Sequence, residues 1–357
     1  MKRSFLTLAI LTVAALAVVI LVALKDGTSE ISSVDTLLIP IIAGQINDVD
    51  RVEIVTAGNT TVATLVRAGS AWQLEQMGGY QADWSKLQAL LAALAQATVI
   101  EPKTDNPDYY SRLGVEDVSA ADAGSVLVRI SIGDRTMGIL IGKRSQGRQG
   151  QYVRLQDVAG SVLVDREFDI PGQALDWADT GIIDVNSSEV AEVEIIHPTA
   201  ERILVMRISA DQTDFDLAGL PSGREIKSSW AVNSLGSVFS LLNMETVRPE
   251  GDVDWTDAVK MRLLMFSGVE ILADLVEQGD EYLLRLKASH PGASVVQHDS
   301  GDSVTQLEIE KQAAEDVAKE VEKINQKVSG WAYGISKQKF EAMIKKPEDL
   351  LKPLETT

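Results

Sequence analysis

The 357-residue chain has no cysteine and only three histidines, and each shortage removes a class of chemistry. Without cysteine there is no disulfide, no thiolate metal site, no cysteine nucleophile and no lipidated N-terminal cysteine. The compartment stays open, because many exported bacterial proteins also lack cysteine. His197, His290 and His298 lie in turn-like stretches without the i, i+4 spacing that holds a metal on a helix, so they read as solvated loop residues. Cations are scarce too. Thirty-three Lys and Arg face 52 Asp and Glu, giving a net charge of −19 and a pI near 4.6. Binding to nucleic acid, or to an anionic lipid surface, rests on cations, so nucleic acid is not an expected partner.

Catalytic signatures are missing as well. No serine sits in a Gly-x-Ser-x-Gly elbow. Gly138 and Gly142-Lys143-Arg144-Ser145 imitate a phosphate loop, but one residue is missing between the glycines and Arg144 separates Lys143 from Ser145. That stretch reads as a basic hairpin tip. Asp105 and Asp108, beside Tyr109-Tyr110, are the pair most like the carboxylates of a glycosidase. With so many acids in the chain, chance proximity accounts for them. The sequence therefore assigns no catalytic residue, no cofactor-binding residue and no metal ligand, and no enzyme activity is expected.

What is present begins with residues 5–24, an unbroken apolar run behind Lys2 and Arg3 that contains no charge, Pro or Gly. About twenty such residues cross a bilayer as a helix. Ala15-Leu16-Ala17 has the form of a signal-cleavage site, yet more apolar residues follow it directly, so residues 1–24 read as a retained signal anchor. Lys2 and Arg3 before the span, against the acidic stretch after it, place the short N-terminus in the cytoplasm. The body is then expected to lie outside the cytoplasm, on the bacterial inner membrane.

A polar linker, residues 25–47, leads off the anchor, and its apolar segment 37–42 is too short to span and should pack on the body. Alternating apolar residues predict strands at 49–55, 61–67 and 71–74, followed by a helix over 83–97 with Trp84, Leu87, Leu90, Leu91 and Leu94 on one face. The same order returns after Asn186. Strands are expected at 190–196, 203–208 and 214–217, then a helix carrying Trp230, Leu235, Val238, Phe239 and Leu242. Thr246-Val247 answers Thr98-Val99 just past each helix. Further strands follow in both halves, giving an α+β class with two duplicated antiparallel sheet-and-helix units, 48–184 and 185–357.

These features carry a resemblance to a known family. An N-terminal apolar helix, Leu38-Ile39-Pro40 followed by Ile46-Asn47-Asp48-Val49, the Val52-Glu53-Ile54 strand and Trp72-x-Leu74 resemble the bacterial domain-of-unknown-function family DUF4340. So do Tyr80-x-Ala82-Asp83, Trp331-Ala332-Tyr333 and Glu348-Asp349-Leu350-Leu351. Members are generally encoded beside components of ATP-binding-cassette (ABC) transporters related to those of gliding motility. The resemblance implies an accessory envelope protein and supplies no active-site residues.

The functional expectation is thus a membrane-anchored, non-enzymatic interaction subunit, with an envelope carbohydrate-binding module or carbohydrate-active enzyme as the alternative. One insertion in the second half, residues 304–328, adds a candidate contact. Leu307, Ala314, Val317, Val321, Ile324 and Val328 advance by threes, fours and one heptad, among Glu and Lys on the other faces. This helix either packs its narrow seam on its own domain or pairs with a second copy or a transporter component.

Overall fold

The structure of the protein, a computed structural model, describes residues 36–147, 149–291 and 304–353. The apolar run at 5–24, the start of the linker and His298 lie outside the described residues. No described helix is long and apolar enough to cross a membrane. The chain is mixed α+β, and its named strands pair antiparallel. It divides into two compact units: residues up to Arg67 with Ser85–Ile170, and Ala68–Trp84 with the residues from Pro171 onward.

In the first unit, β1 (Thr36–Leu37) and α1 (Pro40–Gln45) precede β2 (Arg51–Thr56) and β3 (Thr60–Ala68). The apolar segment expected to pack on the body does so, with Ile39 and Ile42 buried. Two short strands, β4 (Ala71–Leu74) and β5 (Tyr80–Gln81), belong to the second unit. The chain then returns through α2 (Trp84–Gln96), β6 (Thr98–Pro102), α3 (Tyr110–Leu113), β7 (Val126–Ile132), β8 (Arg135–Arg144), β9 (Gln151–Leu155) and β10 (Ser161–Val164). The α2 face is set by spacing: Leu87, Leu90, Leu91 and Leu94 recur at three- and four-residue steps and are all buried. Trp84 leaves that face, half exposed, and stacks on Trp72 with ring centroids 6.4 Å apart.

The second unit contains β11 (Gly181–Ile183), β12 (Val190–Ile196), β13 (Arg202–Met206), β14 (Asp216–Leu217), α4 (Ser229–Asn233), β15 (Leu242–Asn243) and β16 (Thr246–Pro249). It continues with β17 (Val259–Met265), β18 (Glu270–Gln278), β19 (Glu281–Ser289), α5 (Val304–Val328), β20 (Trp331–Gly334), α6 (Lys337–Met343) and α7 (Pro347–Leu350). The long helix expected around Trp230 to Leu242 is a correction: α4 lasts one turn and passes into a 3-10 turn over Ser234–Ser237. The serines explain it. Ser234 Oγ donates to the Ala231 carbonyl at 2.9 Å and Ser237 Oγ to that of Ser234 at 3.0 Å, engaging carbonyls that a longer helix would use. Trp230 is left exposed at the surface.

Seven strands of the first unit pair in the order β6-β10-β9-β8-β7-β2-β3, and seven of the second in the order β16-β20-β19-β18-β17-β12-β13. Position by position these are the same connectivity. The registers agree as well, since Val52 faces Leu65 across β2 and β3 while Val193 faces Val205 across β12 and β13.

Candidate functional site

On each sheet the side chains that alternate away from the main core form lateral rows across β2, β7, β8 and β9, or across β12, β17, β18 and β19. One row carries an ion pair in both units. Glu53 stands opposite Arg129 in the first and Glu194 opposite Arg262 in the second. Although burial pulls Glu53 upward, hydrogen bonds from Arg51 and Arg129 hold its carboxyl below the ordinary carboxylate value. In the second unit Arg262 Nε lies 3.0 Å from Glu194 and Nη1 3.4 Å from Glu270, and its other amino group pairs with Glu192.

The neighbouring row separates the units. In the first it reads Val55, Leu127, Leu140, Arg154. The connection from β6 to β7, residues 103–125, lies over it: Val118 packs with Val55, Leu127 and Leu140 in one buried cluster. Arg154 fastens the cover. Its Nε donates to the Val115 carbonyl at 2.9 Å, its guanidinium stacks 4.5 Å from the Tyr110 ring, and Nη2 lies 3.2 Å from Asp117, poorly aligned for a hydrogen bond. Gly142 permits this approach, because a Cβ there would stand 2.5 Å from the Leu113 carbonyl oxygen. Lys143, the residue that imitates a phosphate-loop lysine, extends from β8 and donates to the Ser111 carbonyl at 2.9 Å.

In the second unit the same row reads Ile196, Lys260, Asp274, Arg285. Its connection, residues 250–258 between β16 and β17, is short and covers one end only, where Val253 and Trp255 pack with Leu283, Ala332 and Val276. Arg285 again meets an aromatic from the connection, 4.8 Å from the Trp255 ring, and pairs with Asp274 at 2.8 Å. The other end is an open concavity of about 530 Å³, walled by Glu194, Glu250, Lys260, Arg262 and Lys287, with Ile196 39% and Leu272 37% exposed at its apolar surface. Among the described residues, Lys260 and Lys287 have no ion-pair partner. Sequence reading missed this site. Its trace is charge at every second position, Glu192 and Glu194, Lys260 and Arg262, Arg285 and Lys287, which marks a solvated sheet face without saying which rows are covered.

A second cluster joins two of the motifs that carried the family resemblance. Tyr80 meets Trp331 edge-on at 5.1 Å and Tyr333 at 6.1 Å. Tyr80 donates to the Asp179 carbonyl at 3.1 Å, Tyr333 to that of Lys327 at 3.2 Å, and Lys327 Nζ pairs with the Asp179 carboxylate at 2.9 Å. Burial pushes the Tyr80 phenol up to about 12, and burial with the neighbouring Tyr80 raises Tyr333 further. These phenols are structural struts, held neutral and capped by carbonyls.

A sequence profile described as domain of unknown function (DUF4340) matches residues 72–263, more than half of the chain. The chain belongs to the DUF4340 family. No match is found among curated proteins or among solved structures. The DUF4340 match starts at β4 and ends within β17, so Trp72-x-Leu74 and Tyr80 to Asp83 lie inside it, whereas Trp331 to Tyr333 and the concavity's β18 and β19 lie beyond.

The remaining sequence candidates of this DUF4340 chain are placed as follows. On α5, the side chain of Leu307 lies outside the described set, Ala314 is exposed, Val317, Val321 and Ile324 are half-buried, and Val328 is buried. The C-terminal half is fixed to the sheet by Asn325, whose side chain accepts from the Ala288 N–H at 2.8 Å and donates to its carbonyl at 2.9 Å. Beneath it lies a groove of about 360 Å³ between Ile324, Val328 and Ile182. Tyr110, beside the glycosidase-like pair Asp105 and Asp108, is buried under Arg154 with its hydroxyl on the Asp105 carbonyl at 3.2 Å, while both aspartates are exposed. His197 corrects the expectation of solvated histidines: it is buried and its Nε2 donates to the Lys345 carbonyl at 3.0 Å. His290 Nδ1 donates to that of Gly268 at 3.0 Å. Among the described residues no group of three His, Cys, Asp or Glu is placed to hold a metal.

Proposed function

We propose that this DUF4340 chain is an accessory interaction subunit of an ABC-type, gliding-like transport system, held at the bacterial inner membrane by residues 1–24 with its body outside the cytoplasm. We read the two units as an internal duplication of one sheet module, on which α5 is the added partner-contact element. The observation that carries the reading is the division of α5 along its length. Its last turns are pinned to β19 by Asn325 and bury Val328, whereas residues 312–316 and 318–320 are exposed. An exposed helix rich in Glu and Lys with a narrow apolar seam suits pairing with another helix.

The test is affinity purification of the full chain from membranes in mild detergent, comparing the native sequence with an Ala314→Arg, Val317→Ser variant. Loss of co-purifying transporter subunits at an unchanged melting temperature supports the proposal. Equal recovery of partners, or recovery of none from the native chain, overturns it.

A further inference from the structure

The two sheets pose the same seat and fill it differently. In the first unit the row Val55, Leu127, Leu140, Arg154 is covered by the chain's own connection, and the covering residues 114–124 carry Glu116, Asp117 and Asp122 with no Lys or Arg. An aliphatic anchor, Val118, enters between acids, and Arg154 holds the backbone and lies against Asp117. In the second unit the equivalent row keeps the arginine as Arg285 and keeps an aliphatic residue as Ile196, but its connection stops short. The uncovered end is the concavity.

The substitutions inside the seat show what the occupant must be. Lys260 stands where Leu127 stands, Asp274 stands where Leu140 stands and is neutralised by Arg285, and Lys287 flanks Leu272 in the adjacent row. Both ammonium groups lack an ion-pair partner among the described residues, in a chain whose net charge is −19. Ile196 and Leu272 remain as apolar contacts open to solvent. Two cations without an ion-pair partner among the described residues, against one such carboxylate, Glu250, stand beside exposed aliphatic groups and complement a segment with the character of residues 114–124. We infer that the concavity on the second sheet is a docking seat for an acidic segment of a partner protein, carrying a Val- or Ile-like anchor flanked by Asp or Glu. The seat lies on the sheet face and makes no use of the exposed part of α5, so it stands or falls separately from the function proposed above.

The experiment uses the full chain in mild detergent and a fluorescently labelled peptide with the sequence of residues 114–124. Fluorescence anisotropy is expected to show saturable binding at concentrations below about 1 mM. Replacing the three acids of the peptide by Lys, or introducing Lys260→Glu with Lys287→Glu in the protein, is expected to weaken binding by about tenfold or more. Serine in place of the Val118 equivalent should weaken it as well. The double variant changes exposed residues without ion pairs; should its melting temperature fall, Leu272→Arg blocks the apolar part of the seat instead. No saturation at about 1 mM, or equal affinity for the charge-reversed peptide, overturns the inference. Equal affinity in the protein variants places the peptide elsewhere, and equal affinity of the serine peptide removes the aliphatic anchor, and either result also overturns it. Complete competition by inorganic phosphate at matched ionic strength would mean an anion site in place of a segment seat.

Discussion

Replacing Arg154 and, separately, Arg285 by Ala perturbs the same sheet position in the two units and should give unequal losses. Arg154 is buried, with a 2.9 Å hydrogen bond to Val115 and longer ones to the carbonyls of Gln156 and Val158 at 3.3 and 3.4 Å. A hydrogen bond from a charged donor contributes about 1.5 to 3 kcal/mol, and stacking on Tyr110 adds about 1 to 2 kcal/mol where water is excluded. Discounting the two long bonds, Arg154→Ala should destabilise the first unit by about 2.5 to 5 kcal/mol. Arg285 is half-buried. Its ion pair with Asp274 is screened by solvent and contributes about 0.2 to 1 kcal/mol, with about 0.5 to 1 kcal/mol from Trp255, so Arg285→Ala should cost about 1 to 2 kcal/mol. Urea denaturation followed by hydrogen exchange at β9 and β19 amides assigns each loss to its unit. Equal losses, or a loss below about 1 kcal/mol at Arg154, would refute the claim that Arg154 clamps the connection over the first sheet.

Two further outcomes are expected. Tyr80 and Tyr333 have folded pKa values above the ordinary phenol value of 10.0, so their contribution is fully present below that pH and declines above it, that of Tyr80 being lost as pH rises through about 12 and that of Tyr333 higher still. Stability should fall by about 1.4 kcal/mol per pH unit for each phenol there, and Tyr80→Phe should halve that slope in denaturation series at alkaline pH; a slope that Tyr80→Phe leaves unchanged would exclude burial as the cause. Asn325→Ala leaves the Ala288 N–H and carbonyl without their partner and should cost about 1 to 3 kcal/mol, with faster exchange at the Ala288 amide and little change in the first unit. Unaltered exchange at Ala288 would mean that α5 is held by its apolar contacts alone.

Elements whose pattern is local were legible in the sequence. The strands Ala71–Leu74 and Val190–Ile196, and the helix Val304–Val328, fall where alternation or three-to-four spacing put them. The shared order of strands was legible as well, from Val52-Glu53-Ile54 and Val193-Glu194-Ile195 at the start of each series. What depended on register was hidden: that Leu127 aligns with Lys260, and Leu140 with Asp274, follows only once the strands are paired. Tyr110 looked available beside two aspartates because its partner, Arg154, comes from a strand far along the chain. His197 looked solvated for the same reason, since the Lys345 carbonyl reaches it from near the C-terminus. Helix α4 was overextended because apolar spacing carries no account of serine hydroxyls engaging the helix carbonyls.

The attachment of α5 has a mechanical side. The helix runs through Ser329 and Gly330 directly into β20, and Gly330, at φ 86°, makes a turn that a residue with a side chain would resist. β20 is registered to β19 at Leu283 opposite Gly334 and Leu284 opposite Tyr333, and to β16 along Thr246 to Pro249. A pull on the exposed turns of α5 therefore passes through Asn325 to β20, which two registered pairs and the Ile335 N–H bond to the Tyr282 carbonyl join to β19, and four registered pairs join to β16. The seam between β20 and β19 is thus the line at which a tug on this helix would first bear on the second sheet, as on a perforation.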